Sequence, residues 1–539
     1  MTTPRTHDVL ILGGGLAGLT LALQLKRRLP DLDVAILERR AHPVPPAAHK
    51  VGESSVEIAA HYFGKVLGLE SYLQQRQLKK FGFRFFFSDG ATRIENVTEL
   101  GASTFLSTPS YQLDRGIFEN DLGAMVREHG VHFVDAATVR EFTLGDGKGN
   151  AVHRASYTTA DGTHDVEARW LVDATGRAGL LKRRLGLAES NPHDVNAVWF
   201  RVGARIDVNE WSDDADWLAR CDPPHRWLST NHLVGDGYWV WLIPLASGSH
   251  SVGIVADATR HPLETMNTFD KAMAWLERHQ PRLFEDLNGK RDTLQDFAFL
   301  RRFSYGCRQV FDGTQRWALT GEAGVFLDPF YSPGGDFIAI SNTYVTELIA
   351  LDRAGTPVAS YAEVYQRIYF SFYQAMLPLY VGQYGLFADA EVLPVKVLWD
   401  YAYYWGVMCQ LFFQQRLTDL GALARQQKPL AWAQQLNVEM QKLLRAWSDV
   451  SARRNPPRLL DQASLPWFAE LNRGLTDALE PAAFEQRMRE TFGQLDALAH
   501  EIVMRATAAH PALDGAAVRA LLDPQRARDG APMLYPETA

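Results

Sequence analysis

Cysteine is scarce in this chain. The 539 residues hold three, Cys221, Cys307 and Cys409, odd in number and far apart. That spacing excludes a disulfide framework and a thiolate metal cluster, and it fits a reducing cytoplasm. Positive charge is also not in excess: 55 Lys and Arg stand against 63 Asp and Glu, a formal net charge of -8. With no basic block to attract nucleic acid or an anionic membrane, neither is an expected partner. Residues 1–7 lack an apolar region followed by a small-residue cleavage site, and the first apolar run, residues 9–12, has only the length of a strand, so no export is expected. Long uncharged apolar runs are missing as well. The best candidate for a membrane span, residues 392–413, carries Lys396 and Asp400 among its aromatics, which predicts a buried helix lining a pocket and no transmembrane segment. Internal repeats and low-complexity tracts are absent.

What is present is a large apolar fraction, 46%, in a chain longer than one compact α/β unit needs. Residues 8–12 read as a strand, Gly13-Gly14-Gly15-Leu16-Ala17-Gly18 as a tight turn, and the apolar-periodic run to Leu29 as a helix. A second strand, residues 34–37, ends at Glu38. In this βαβ unit Gly13, Gly15 and Gly18 let the backbone turn, approach a pyrophosphate and pack helix on strand, while Glu38 is placed to accept hydrogen bonds from ribose hydroxyls. Residues 118–129 are predicted as a helix, 132–134 as a strand and 167–173 as a strand returning to the parallel sheet. Gly145-Asp146-Gly147-Lys148-Gly149 has the letters of a phosphate loop but joins two alternating segments, and is read as a hairpin turn.

From residue 196 to 305 the pattern turns to β, with strands expected at 197–206, 227–233, 238–243 and 249–256, a mostly antiparallel sheet that shapes a substrate pocket. Residues 316–320 return to the core as a strand. From about residue 341 the signal is helical. Its aromatic stripe, Tyr361, Tyr365, Tyr369, Phe370, Phe372 and Tyr373, is read as core packing.

Three further segments resemble the FAD-dependent aromatic hydroxylases and halogenases. Tyr111 to Phe118 resembles the helix start that carries that family's arginine, here Arg115. Val172-Asp173-Ala174-Thr175-Gly176 resembles its small-residue turn near the adenine half. Thr320-Gly321-Glu322-Ala323 resembles its second flavin motif, with Glu322 in place of the usual Asp. Together with the glycine turn they imply FAD as the cofactor.

The sharper resemblance is to the flavin-dependent halogenases of the tryptophan halogenase family, over roughly residues 9–342. Trp239-Val240-Trp241-Leu242-Ile243-Pro244 matches that family's W-x-W-x-I-P at every fixed position. At i and i+2 the two indoles share one face of a strand, and in the family they are thought to keep organic substrate away from activated oxygen at the flavin. Lys50-Val51-Gly52-Glu53-Ser54 resembles its flavin-contacting loop. Lys79-Lys80-Phe81-Gly82 resembles the segment with its essential lysine, and the K-x-G spacing selects Lys80, which would hold hypohalous acid by adduct or hydrogen bond. Asp328 to Gly335 corresponds to the halide- and flavin-facing loop, with backbone amides near Ser332 and Gly334 as an anion site beside Gly335. The chain departs from the pattern at Tyr331, where enzymes acting on free tryptophan carry glutamate, and at Pro333, where they carry a hydroxyl.

These features imply an α/β fold: an FAD-binding doubly wound sheet over residues 1–345, with the inserted antiparallel substrate sheet at about 190–305, and a C-terminal helical cap over 346–539. The implied activity is halogenation of an electron-rich aromatic or carrier-bound substrate by reduced FAD, oxygen and a halide ion, with FAD reduced by a separate flavin reductase because the chain shows one dinucleotide turn. The alternative is a monooxygenase, oxidase or dehydrogenase on the same scaffold that uses no halide.

Overall fold

The computed structural model describes residues 5–47, 49–147, 152–221, 223–524 and 532–536. The chain divides into two compact units, each assembled from three stretches. The first comprises residues 1–76, 113–191 and 304–373, and the second comprises 77–112, 192–303 and 374–539.

The first unit is built on a mainly parallel sheet with strand order Phe311–Asp312, Trp317–Leu319, Gly162–Asp173, Arg5–Leu12, Val34–Leu37, His132–Val134. The central strands are apolar runs buried on both faces, as a parallel sheet covered by helices demands: Val9 to Leu12 and Val34 to Leu37 are all buried. Register is what matters for function. Leu12 lies opposite both Asp173 and Leu37, and Asp173 lies opposite Leu319, so four strands end in phase along one carboxyl edge. The strand expected at 167–173 extends back to Gly162, because its first half pairs antiparallel with His153–Thr159. That strand and Thr138–Thr143 form the expected hairpin; Lys148 and Gly149 of its turn lie outside the described residues.

Two helices, Leu16–Arg28 and Gly334–Arg353, are joined by a buried polar network. Asn342 Nδ2 donates to Ala17 O at 3.2 Å, Thr20 Oγ1 at 3.1 Å and Tyr62 OH at 3.0 Å, while its Oδ1 accepts from Thr320 Oγ1 at 2.6 Å. At the other end of the longer helix, Asp352 accepts from Arg169 at 2.7 Å on each oxygen, from Trp170 Nε1 at 2.9 Å and from Arg316 Nε at 3.2 Å. The aromatic stripe is core packing: Tyr365 stacks on Tyr344 at 4.7 Å, and Tyr369 meets Phe311 and Phe337 edge-on.

The second unit holds an eight-stranded sheet in the order Leu294–Leu300, Val195–Val202, His250–Asp257, Tyr238–Pro244, Thr230–Gly235, Phe83–Phe86, Glu99–Gly101, Leu459–Asp461. It is antiparallel except at two places, where Phe83–Phe86 runs parallel to Thr230–Gly235 and Leu459–Asp461 runs parallel to Glu99–Gly101. Three of its strands therefore come from outside the stretch read as β-rich. One face is an apolar core of Val198, Phe200, Leu233, Val240, Leu242, Val252 and Ile254, covered by helices Phe269–His279 and Pro281–Asn288. The strand expected at 227–233 begins only at Thr230, because Arg226–Leu228 form a 3-10 turn. The guanidinium of Arg226 is drawn inward to Glu99, with Nε 2.8 Å from Oε1, and Arg84 reaches the same carboxylate from the adjoining strand.

Among the described residues no helix is long and apolar enough to cross a membrane. The run at 392–413 is a buried helix, Leu393–Tyr403, continued through a π-helical turn, Tyr404–Cys409. Its two charges satisfy one another: Lys396 Nζ donates to Asp400 Oδ2 at 2.7 Å and to Gln441 Oε1 at 2.7 Å, and Gln441 Nε2 donates to Asp400 Oδ1 at 2.7 Å.

The Asp352 cluster generates a pH-signed prediction. Burial works against its ionisation, but Arg169, Trp170 and Arg316 hold its carboxyl below the usual carboxylate range. A depressed folded pKa contributes stability that is present above the unfolded pKa and lost as pH falls through the folded one. Asp352→Asn should lower unfolding free energy by about 2–3 kcal/mol at pH 7. The gap to the wild type should shrink below about pH 4, read by urea denaturation at a series of pH values. A gap that stays constant down to pH 2 refutes the account.

Candidate functional site

The carboxyl edge of the parallel sheet collects the predicted cofactor residues of the first unit. Gly13 follows Leu12, Glu38 follows Leu37, and the Thr320-Gly321-Glu322 turn follows Leu319. Gly13 has φ +103°, and a Cβ there would lie 2.5 Å from Ala174 O; one on Gly18 would lie 2.0 Å from Gly13 O. Gly15 differs. A Cβ there meets nothing within 4 Å, and its φ -84°, ψ -172° is open to any residue. The chain leaves this volume empty at the head of helix Leu16–Arg28, where amide dipoles favour an anion. Glu38 is held at its rim by Gly14 N at 2.6 Å and Arg40 N at 2.7 Å. Two backbone donors leave further lone pairs on the carboxylate for hydroxyls. These residues therefore fit the adenosine diphosphate half of FAD.

Asp173 shapes the neighbouring turn. It is buried, which pushes its carboxyl upward in pKa against the hydrogen bonds it accepts from Thr175 and Leu181. Glu322 pairs with Arg177 at 3.1 Å, both partly exposed.

Arg115 heads helix Arg115–Glu128 and gathers the Gly52-Glu53-Ser54 loop. Its Nη1 donates to Val51 O at 2.7 Å and Gly52 O at 3.3 Å, and its other nitrogens reach Glu119. Glu53 and Ser54 are buried, and Glu53 O accepts from Leu113 N at 2.5 Å. Lys50 pairs with Glu119; burial and the charges of Arg115 and Arg40 push its ammonium down to about 7.

The loop from Asp328 to Gly335 is strained. Tyr331 and Ser332 are consecutive non-glycine residues at φ +68° and +55°, each of order 1–3 kcal/mol. Buried Asp328 accepts from Phe330 N at 2.8 Å, and the first helical bond runs from Phe337 N to Pro333 O at 3.1 Å. Of the two amides expected to receive an anion, that of Ser332 is already committed, donating to Pro329 O at 2.9 Å. Gly334 and Gly335 stand at the head of the 20-residue helix, and a Cβ on Gly334 would meet nothing within 4 Å.

In the second unit the sheet face opposite the apolar core carries the other predicted residues. Lys80 is buried, and its Nζ lies 3.5 Å from the centroid of the Phe83 ring. Its backbone is fixed by Lys80 N donating to Ser110 O at 2.9 Å and Phe81 N to Leu228 O at 3.0 Å. Lys79 is exposed and stands over Phe105 at 4.8 Å. Trp239 and Trp241 share their face with ring centroids 5.6 Å apart. Trp239 Nε1 donates to Tyr384 OH at 3.0 Å and Trp241 Nε1 to Ser251 Oγ at 3.1 Å. Gly253 leaves room for the Trp241 ring, since a Cβ there would lie 2.1 Å from it. Between the two motifs stands His232, which no sequence pattern marks: a lone histidine in an apolar strand reads as core. Tyr384 was equally unmarked, because its partner lies in a distant part of the chain.

With this geometry in hand, comparison places the chain among known proteins. Residues 6–270 match the FAD binding domain family. A flavin-dependent halogenase of Dictyostelium discoideum is 25% identical over 443 residues, covering 70% of this chain and 72% of that protein. A pyrrole-2-carbonyl peptidyl-carrier-protein chlorinase of Pseudomonas fluorescens is 25% identical over 352 residues, covering 61% and 72%. Among solved structures, halogenase PltM in complex with phloroglucinol and FAD aligns with a TM-score of 0.64 at 18% identity, over 97% of this chain and 98% of that one, a likeness of fold. The chain is an FAD-dependent enzyme and a relative of the flavin-dependent halogenases.

Proposed function

We propose that the enzyme uses reduced FAD, oxygen and chloride or bromide to place a halogen on an electron-rich aromatic carbon, either of a free phenol- or pyrrole-like molecule or of such a group borne on a carrier protein. The observation that carries this reading is a chain of ring contacts on one sheet face, which leads from Phe83, the seat of buried Lys80, through His232 to the Trp239 and Trp241 indoles. The relatives support the substrate class: one acts on a pyrrole-2-carbonyl carrier protein, and a structural neighbour holds phloroglucinol. Tyr331, in place of the glutamate of enzymes acting on free tryptophan, points the same way.

In this reading Gly13, Gly15, Gly18 and Glu38 hold the adenosine diphosphate half of FAD. Gly52, Glu53, Ser54, Arg115, Gly321, Glu322, Asp328, Gly334 and Gly335 surround the rest. Bound and reduced, FAD supplies the oxygen activation. The protein binds, orients and excludes water. Ser332 and the head of helix Gly334–Arg353 would set the halide loop, Trp239 and Trp241 would keep organic substrate from activated oxygen, and Lys80 would receive hypohalous acid and present its halogen to the aromatic carbon. The sequence shows one dinucleotide turn, and on that basis the electron supply is assigned to a separate flavin reductase. The three buried free cysteines suit a reducing cytoplasm.

Gly15→Trp should fold, because the position has both the backbone conformation and the room for a side chain, yet lose FAD by filling the volume the pyrophosphate needs. Circular dichroism of the apoprotein and the flavin absorbance of the reconstituted protein check this; a normal flavin spectrum in the folded variant refutes the assignment.

Lys80→Ala should keep FAD binding while product, followed by mass spectrometry with chloride exchanged for bromide, falls by about a hundredfold or more. Lys79→Ala, on the exposed neighbour, should stay within about threefold of wild type. Equal behaviour of the two variants, or a product mass indifferent to the halide, sinks the halogenase reading.

A further inference from the structure

His232 sits at the middle of Thr230–Gly235, opposite Phe85 on one neighbouring strand and Trp241 on the other. Its imidazole stacks on Phe85 at 4.6 Å and 21°, meets the Phe83 ring edge-on at 5.2 Å and 76°, and lies 5.2 Å from the Trp239 ring. Phe83 is the ring on which the Lys80 ammonium rests, so this one side chain touches both the seat of the lysine and the first tryptophan of the W-x-W pair. We propose that His232 is a positioning residue for Lys80 and Trp239, fixing the Phe83 ring beneath the ammonium and backing the Trp239 indole so that the two keep one separation.

Three features make it suited to that role. Its flat ring is clamped by Phe85 on a face and by Phe83 at an edge, which leaves it little freedom to rotate. Burial and the nearby Lys80 charge push its pKa down to about 3. It is therefore neutral across the working range, and no second cation competes with the ammonium for the aromatic faces. On the far side, Tyr384 accepts from Trp239 Nε1, so the indole is held between a hydrogen bond and an aromatic wall. An aliphatic side chain at 232 would remove the wall, letting Phe83 tilt and the ammonium drift, and misplacements of about 1 Å are enough to cost reaction rate.

The catalytic consequence rests on the halogenase reading, whereas the positioning itself does not, and the test separates them. In protein labelled with 13C-lysine, the Lys80 Cε protons lie over Phe83 and should resonate upfield of the other lysines, assigned through Lys80→Ala. His232→Ala should move this signal toward the exposed-lysine position at unchanged FAD occupancy. In turnover it should lower the ratio of halogenated product to hypohalous acid trapped in solution by an added thioether, by roughly tenfold. His232→Phe, which keeps a flat ring, should hold the ratio within about threefold.

Phe83→Leu removes the seat directly and should reproduce the alanine effect on the ratio, so it decides the matter if His232→Ala does not fold. A Lys80 signal and product ratio both at wild-type values in His232→Ala overturn the proposal, as does a wild-type ratio in Phe83→Leu. A displaced Lys80 signal in a protein that makes no halogenated product even as wild type supports the positioning role and overturns the halogenase reading instead.

Discussion

Strand register is the constraint on which both units depend. Side chains alternate across a sheet with a period of two, so a slip of one residue exchanges its faces. In the second unit the parallel pairing of Phe83–Phe86 with Thr230–Gly235 sets His232 against Phe85, and the next hairpin sets His232 against Trp241. Slip Thr230–Gly235 by one residue against its neighbours and His232 turns toward the apolar core of Val240 and Ile254, while Leu233 faces the other way. That core, closed by two helices, makes the slip costly, and so the burial of ordinary aliphatic residues fixes the position of the chemical ones. In the first unit the in-phase ending of four parallel strands does the same for turns: Gly13, Glu38, Ala174 and Thr320 are neighbours because Leu12, Leu37, Asp173 and Leu319 are paired.

Register fixes faces, but buried charge fixes the connecting turns. Glu99 takes hydrogen bonds from Arg84 and Arg226, all three fully buried. Arg226 also donates to Trp217 O at 2.8 Å and lies over the Trp217 ring. Such groups give little net stability compared with an apolar replacement, yet breaking them costs several kcal/mol because an uncompensated charge stays inside. What this triad provides is specificity. It draws residues 226–228 out of the strand and into a turn whose Leu228 carbonyl receives Phe81 N, immediately after Lys80. Lys396, Asp400 and Gln441 stand in the same relation to the C-terminal helices, and their mutual satisfaction explains how a helix this apolar carries two charges in its interior.

The parts of the fold that could be read from the chain were those encoded locally. The glycine turn is dictated by backbone sterics at Gly13 and Gly18, and the W-x-W alternation by the pleat; both are properties of a few consecutive residues. The parallel partner of Phe83–Phe86 is not, because nothing in four aromatic-rich residues says which distant strand they will join, and Leu459–Asp461 is too short to show a period at all. Residues 227–229 read as strand because their composition is right, and become a turn because of an arginine whose partner lies in another stretch of the chain. The Ser332 amide read as an anion donor because loop amides before a helix often are; its bond to Pro329 depends on two successive left-handed residues that no composition rule predicts. His232 was invisible for the opposite reason, since its strand is ordinary and its importance comes wholly from what stands on either side.

The proline at 333 shows how a departure from a family pattern can be consistent with the geometry around it. A proline ring costs a helix an interior hydrogen bond, but here the residue precedes the first helical turn, where its missing N–H would have had no intrahelical acceptor. Its φ of -74° is already helical, and its carbonyl takes the first helical bond from Phe337. Proline also narrows the choices of the residue before it, disfavouring the ordinary helical conformation at Ser332. Ser332 adopts φ +55° with its amide turned back onto Pro329. The hydroxyl that free-tryptophan enzymes carry at this position is therefore exchanged for rigidity. A loop that must hold Tyr331 and Ser332 in a strained conformation at the head of a helix is fixed at its next residue by a ring that leaves φ little freedom, and the position of Gly334 is set by the backbone before anything binds there.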